Sequence, residues 1–190
     1  NAYRPQRGKQ WETGMKFEGF DKSDLQQFSK VQNLAYACVE AVQAQLKTGM
    51  TEKDAVRLLR EWLAARGVTH MFHDPFAWFG KRAAFKDFWI NIKFLPSKAK
   101  LEPGMPVILD VAPIVDGYSS DIGYCFVHGG DATVDQMDQV LMQVREHIVM
   151  AVRAKKTMRA IYQEVDAIIE AAGFINVHRY YPHRVIGHRM

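Results

Sequence analysis

The stretch that decides the fold is Val107-Ile-Leu-Asp-Val-Ala-Pro-Ile-Val-Asp-Gly-Tyr-Ser-Ser-Asp121. Three large aliphatic residues lead into Asp110, which predicts a buried strand. Asp116-Gly117 is a dipeptide favoured in two-residue β-hairpin turns, where both central residues need a positive φ. The run therefore predicts a hairpin in which Val115 pairs with Tyr118.

The register of this hairpin decides where its carboxylates lie. If the pairing continues, Ala112 lies opposite Asp121, and side-chain alternation places Asp110 on the same face as a diagonal neighbour. Diagonal neighbours are roughly 7–8 Å apart at the backbone, so both carboxylates can reach one ion, or two ions about 3.5–4 Å apart. A strand-ending Asp110 and a solvated Asp121 would also explain the run. However, a carboxylate after three aliphatic residues is costly unless it is paired or binds a cation.

Two histidines near the end of the sequence are candidates for further ligands. His183 and His188 stand in the run Tyr181-Pro-His-Arg-Val-Ile-Gly-His-Arg-Met190. Neutral imidazole is a good ligand for zinc, manganese, iron or cobalt and complements carboxylates. A lone histidine is more often a surface or hydrogen-bonded residue. His183 and His188 are therefore candidate ligands only as a pair and together with the hairpin aspartates.

These runs resemble the pita-bread metallopeptidases: methionine aminopeptidase, aminopeptidase P and prolidase. In that family two aspartates, one histidine after a small residue and two later glutamates hold a pair of divalent metals. Asp110 and Asp121 match the aspartates, His188 matches the metal histidine, and His183 matches the histidine that faces the substrate. One extra residue between the two histidines leaves their exchange open. The resemblance implies two divalent ions (Mn, Co, Zn or Fe), a peptide substrate, and compatibility with a homodimer.

Lys93 stands where the family has a histidine that contacts the substrate, since the segment from Lys93 to Asp110 resembles the family's approach to its first aspartate. A lysine can donate a hydrogen bond to a developing oxyanion but cannot replace the donor and acceptor roles of imidazole. A solvent-facing strand lysine is the other interpretation. His70 and His73 are close in sequence and could compensate, although structural or exposed roles are commoner for such residues.

A helix-helix pattern occurs twice. An apolar stripe with Ser23 as its expected N-cap predicts a first helix. Thr51 is expected to cap a second helix, with Glu52 and Asp54 in its first turn where the helix dipole favours acids, and Gly67 to end it.

The second pair of helices is predicted over residues 135–155 and 156–173, with a similar Ala-Ala-Gly ending. The resulting fold class is α+β: a pita-bread fold of pseudo-twofold duplicated helix-helix-sheet halves. Because seventeen residues follow Gly173, the second half is expected to be incomplete, with the family's two glutamates beyond Met190.

Composition, charge and sequence patterns bear on the domain organisation, the partners and the location of the protein. Residues 1–20 are predicted to be an N-terminal arm or linker, and residues 21–190 a single catalytic domain that lacks its C-terminal part. The charge of +4 comes from basic residues scattered among acids, which predicts no nucleic-acid partner. No apolar stretch approaches the roughly 20 residues that span a bilayer. With two cysteines and no signal-peptide core, the expectation is a cytoplasmic protein without membrane association.

The leading hypothesis is a metal-dependent aminopeptidase or dipeptidase-like hydrolase, of the proline-specific branch, that cleaves an N-terminal residue from peptides. Asp110, Asp121 and His188 are its expected metal ligands, and His183 and Lys93 its expected catalytic contacts. A metal-free creatinase-like hydrolase is one alternative, which the presence of both aspartates opposes. A non-catalytic peptide-binding module on the same fold is the other, which Lys93 favours and the intact metal ligands oppose.

Overall fold

The computed structural model describes residues 21–85 and 91–177. The expected N-terminal arm, His183 and His188 lie outside these ranges. Within them the fold is α+β, as predicted, with four α-helices and two small antiparallel sheets. In chain order the elements are α1 (Lys22–Gln43), α2 (Glu52–Ala64), β1 (His70–Met71), β2 (Phe76–Phe79), 3₁₀ helices at Gly80–Ala84 and Asn91–Phe94, β3 (Pro106–Val111), β4 (Pro113–Val115), β5 (Tyr118–Ser119), β6 (Ile122–Val127), α3 (Ala132–Arg153) and α4 (Met158–Ala171).

The first helix begins earlier than the sequence predicted. Asp21, not Ser23, is the N-cap of α1, because its Oδ1 atom accepts hydrogen bonds from the backbone N–H groups of Ser23 at 2.7 Å and Asp24 at 2.9 Å. The Asp24 side chain accepts from the Asp21 N–H in return, which completes a capping box. The predicted cap of α2 is confirmed, since Thr51 Oγ1 accepts from the N–H of its third helical residue at 3.2 Å.

The predicted hairpin is confirmed in its turn and in its register. Asp116 and Gly117 have φ values of 51° and 83°, as a two-residue hairpin turn requires. Val115 pairs with Tyr118, and further along the two strands Asp110 pairs with Gly123. These pairings continue a single register, so Ala112 lies opposite Asp121.

The main sheet has the order β2-β3-β6, and β1, β4 and β5 form the second sheet. Along β3, Val107, Leu109 and Val111 are fully buried in the core formed with α1 and α2. Since side chains alternate along a strand, Ile108 and Asp110 belong to the opposite face. Helices α1 and α2 thus cover one face of the sheet and leave Asp110 on the other.

The repeated helix pair is present in the structure. Helices α1 and α2 have 22 and 13 residues, and α3 and α4 have 22 and 14. Thr157 caps α4 as Thr51 caps α2, and α3 packs against α4. Helix α3 begins at Ala132, three residues before the predicted start, because Asp131 accepts a hydrogen bond from the Thr133 N–H.

Among the helices within residues 21–85 and 91–177, none is both long and apolar enough to traverse a bilayer.

Candidate metal centre

Three side chains converge on the sheet face that the helices leave uncovered: His73, Asp110 and Asp121. One ligand atom of each lies within 4.8 Å of the others. His73 Nε2 is 3.6 Å from Asp110 Oδ1 and 3.4 Å from Asp121 Oδ1. The three side chains are about one fifth exposed, at 22%, 22% and 19%. Two carboxylates and an imidazole therefore meet at a partly buried site, in which the Asp110 Oδ1 atom itself is buried.

The hairpin places the two aspartates. Asp110 is near the end of β3, and Asp121 lies between β5 and β6, diagonally across the ladder. The sequence predicted this convergence from the turn and from side-chain alternation, and the structure brings the two carboxylates together. Their role as metal ligands stays a prediction.

His73 is placed by the connection between β1 and β2. The Phe72 N–H donates a hydrogen bond to the Ala112 carbonyl at 2.9 Å, and Phe76 pairs with Asp110 across the ladder. The connection is thus fixed to the hairpin strand on both sides of His73. The imidazole also packs against the Phe76 ring, with centroids 5.1 Å apart.

Hydrogen bonds and nearby charges set the protonation state of His73. Its Nδ1 atom is 2.7 Å from the Asp74 carbonyl oxygen, so Nδ1 carries a proton and donates it, and Nε2 faces the carboxylates. Burial alone would lower the pKa of His73. The hydrogen bonds to Asp121 and to the Asp74 carbonyl, with the charges of Asp110 and Asp121, outweigh it and raise the pKa to about 9. In the metal-free protein at neutral pH, His73 is a cation between two anions.

From the sequence alone, His73 was expected to have only a minor role, as one of two histidines that could compensate for Lys93. The other, His70, lies in β1 of the second sheet, where its side chain is exposed and contacts Thr69 Oγ1 at 2.9 Å. The signal that separates them is the position of His73 just before the aromatic strand that pairs with Asp110. That signal is usable only once the pairing of β2 with β3 is known.

Lys93 lies in the 3₁₀ helix Asn91–Phe94, and its side chain is exposed. Its carbonyl oxygen accepts a hydrogen bond from Arg82 Nη2 at 2.9 Å, and the same nitrogen donates to the Leu95 carbonyl at 3.0 Å. Trp78 Nε1 donates to the carbonyl of Phe94 at 2.9 Å. Three successive carbonyls are thus held by side chains of the neighbouring strand and turn. The expected catalytic role of Lys93 stays a prediction.

A buried ion pair anchors this segment to α2. Glu52 is fully buried, and its carboxylate accepts from Arg82 Nε at 2.8 and 3.0 Å. It also accepts from the backbone N–H groups of Phe79 at 2.9 Å and Ser97 at 2.7 Å. The sequence predicted Glu52 to be a favourable acid in the first turn of α2. The structure shows that it also connects α2, β2 and the segment that contains Lys93.

Comparisons with known proteins agree with this fold. The family model of metallopeptidase family M24 matches residues 26–190. The chain belongs to metallopeptidase family M24.

Curated relatives extend beyond the matched region. An uncharacterized peptidase of Staphylococcus saprophyticus is 27% identical over 167 residues, which are 87% of this chain and 45% of the relative. An uncharacterized peptidase of Staphylococcus haemolyticus is 26% identical over 169 residues, with 88% and 45% covered. The chain thus spans less than half the length of these curated relatives.

Solved structures show the same fold. A dipeptidase from Pyrococcus horikoshii matches with a TM-score of 0.63 and 22% identity, covering 80% of this chain and 41% of that one. An X-Pro aminopeptidase from Thermotoga maritima matches with a TM-score of 0.58 and 19% identity, covering 67% and 35%. A prolidase from Pyrococcus furiosus matches at 0.57 and 18%, covering 67% and 36%. The predicted pita-bread fold is confirmed.

Proposed function

We propose that this chain carries the metal-binding hairpin of a divalent-metal-dependent peptidase that removes an N-terminal residue from a peptide. The observation that carries the proposal is the convergence of Asp110 and Asp121 on one face of the hairpin, beside His73. Membership of family M24 gives the reaction class.

The residues of the site fit a divalent cation. Ionised aspartates only accept, and two carboxylates this close repel each other unless a cation lies between them, which is the His73 imidazolium in the metal-free protein and would be a metal ion in the loaded site. Carboxylate oxygens with imidazole nitrogen suit zinc, cobalt, iron or manganese. The resemblance to the pita-bread metallopeptidases adds two points to the proposal. The site would hold two ions, and His188 would be a further ligand. A bound ion would lower the pKa of a water molecule towards neutrality and polarise the scissile carbonyl.

The chain's own residues would orient the peptide. Lys93 can donate a hydrogen bond to the carbonyl oxygen as negative charge develops there, and Arg82 fixes the backbone from which that side chain extends. His183 is proposed to donate to the substrate or to the tetrahedral intermediate. Preference for proline after the cleaved bond is part of the proposal, supported by the names of the X-Pro aminopeptidase and prolidase that share the fold.

The test is a cleavage assay on the full gene product that contains this chain, stripped with EDTA and then supplied with Mn²⁺, Co²⁺ or Zn²⁺. Matched peptides that begin Ala-Pro and Ala-Ala separate proline preference from general aminopeptidase activity. The expected result is metal-dependent release of the first residue, faster before proline. Asp110→Asn and Asp121→Asn should abolish it, whereas Asp116→Asn, in the turn of the same hairpin, should not.

Three results would overturn parts of this proposal. Cleavage that persists in EDTA would favour a metal-free hydrolase of the creatinase kind. Tight metal binding without cleavage of any peptide would favour a non-catalytic peptide-binding module, the alternative that Lys93 suggests. Equal rates before proline and alanine would remove the proline-specific branch and leave a general aminopeptidase.

A further inference from the structure

We propose that His73 is a third protein ligand, through Nε2, of a divalent ion held by Asp110 and Asp121; this inference rests on the metal centre of the proposed function. The resemblance assigns no ligand to the connection between β1 and β2. His73 would therefore add a nitrogen donor to the aspartate pair once Nε2 has released its proton to solvent, as metal binding requires. This donor comes from a different segment from the one that holds His183 and His188.

The distances at His73 fit the edges of a coordination shell. Bonds of about 2.0–2.2 Å from a metal to nitrogen and carboxylate oxygen separate neighbouring donors of a tetrahedral shell by about 3.3–3.6 Å. His73 Nε2 lies 3.4 Å from Asp121 Oδ1 and 3.6 Å from Asp110 Oδ1. Typical N–H···O hydrogen bonds are shorter, at about 2.9–3.0 Å. The imidazole thus lies almost equally far from both carboxylates, and its hydrogen bond to Asp121 is long at 3.4 Å.

The orientation of the ring also fits a ligand. Histidines that bind metals through one nitrogen almost always donate the other N–H to a carbonyl or carboxylate, which fixes the ring and the tautomer. His73 makes this contact through Nδ1 to the Asp74 carbonyl at 2.7 Å. The Asp74 side chain in turn lies 3.0 Å from Arg60 of α2. These contacts hold Nε2 towards the carboxylates.

An alternative role for His73 would be to contact the substrate in place of the family's histidine, at whose position this chain has Lys93. That role requires the donor nitrogen to face the peptide. In the structure Nε2 faces Asp110 and Asp121, and Nδ1 is engaged by the backbone. The geometry favours the ligand role.

With His73 as a ligand, the site should favour divalent metals that bind imidazole well. Imidazole suits zinc, cobalt and iron, whereas magnesium and manganese are well served by carboxylates and water. Loss of His73 should therefore weaken Zn²⁺ and Co²⁺ binding more than Mn²⁺ binding.

The experiment is a calorimetric Co²⁺ titration of the EDTA-treated full gene product, together with the visible absorption spectrum of bound Co²⁺, which reports its ligands. The variants are His73→Ala and His73→Gln, with His70→Gln as the matched control from the second sheet. Losing a direct ligand should weaken Co²⁺ binding at least as much as losing an outer-shell partner, about 10–100-fold. The spectrum should change as well. Added imidazole should restore the spectrum of His73→Ala, and His70→Gln should match the wild type.

The outcomes distinguish this inference from the proposed function. If both His73 variants bind Co²⁺ within threefold of the wild type, with an unchanged spectrum, His73 is not a ligand, while Asp110→Asn still tests the centre itself. If the wild type binds no divalent ion, both proposals fail. If His73→Ala does not fold, the polar His73→Gln variant decides the question.

Discussion

Substitution of the buried Glu52 tests how the segment that contains Lys93 is anchored to α2. We expect Glu52→Gln to lower the free energy of unfolding, because it keeps the shape of the side chain but leaves the Arg82 cation without its counterion. Glu52 is fully buried, and its carboxylate accepts from Arg82 and from two backbone N–H groups. The amide that replaces it turns one acceptor into a donor that faces other donors.

The size of the expected loss in the free energy of unfolding follows from the burial of the Glu52–Arg82 ion pair. Removing one partner of a buried ion pair lowers the free energy of unfolding by about 3–5 kcal/mol. The Arg82 side chain is 26% exposed, so water can partly solvate the cation and the lower end applies. A loss of about 3 kcal/mol corresponds to a change of roughly 150-fold in the unfolding equilibrium.

The assay is urea unfolding of the wild type and both variants, followed by tryptophan fluorescence and circular dichroism. The matched control is Glu61→Gln, which removes the carboxylate of an ion pair with Arg57 whose side chains are 57% and 59% exposed. An exposed pair of this kind contributes about 0.5 kcal/mol or less. If Glu52→Gln and Glu61→Gln lower the free energy of unfolding equally, Glu52 does not anchor the segment.

Two further predictions concern the hairpin and the metal-free site. Gly117→Ala should lower the free energy of unfolding by about 1–2 kcal/mol, since its φ of +83° is strained for any residue with a Cβ, although no atom lies within 4 Å of the added carbon. Gly123→Ala, in the same hairpin but outside the positive-φ region, should cost clearly less in the same urea experiment. In EDTA, the stabilisation from His73 should be fully present below its unfolded-state pKa of about 6.5. It should be lost as the pH rises through about 9, its raised folded-state pKa. His73→Gln should remove this loss from stability measured between pH 6 and pH 10, and a wild-type profile identical to that of the variant would contradict it.

The hairpin was predictable because its determinants are local. Asp116-Gly117 sets the turn, the period of two sets the faces, and both act within fifteen residues of sequence. The position of Asp110 relative to Asp121 follows from these rules alone. The start of α1 was less predictable, because Asp21 and Ser23 can both cap a helix and only the hydrogen bonds of the folded chain choose between them.

The contribution of His73 could not be predicted in the same way. It depends on the pairing of β2 with β3, which joins residues 28 to 34 positions apart, and on the hydrogen bond from Phe72 to Ala112. The burial of Glu52 is another long-range effect, since its partner Arg82 lies 30 residues away along the chain. Sequence patterns identify the residue types of such sites but not which elements meet.

Asp110 and Asp121 are proposed to hold one divalent ion together. The most direct measurement is a calorimetric Zn²⁺ titration of the EDTA-treated full gene product for the wild type, Asp110→Asn, Asp121→Asn and the double variant. Two ligands of one ion act as a unit, so each single variant should lose most of the affinity and the double variant should be little worse. Losses that add independently, or single variants that bind Zn²⁺ as tightly as the wild type, would contradict a shared metal centre.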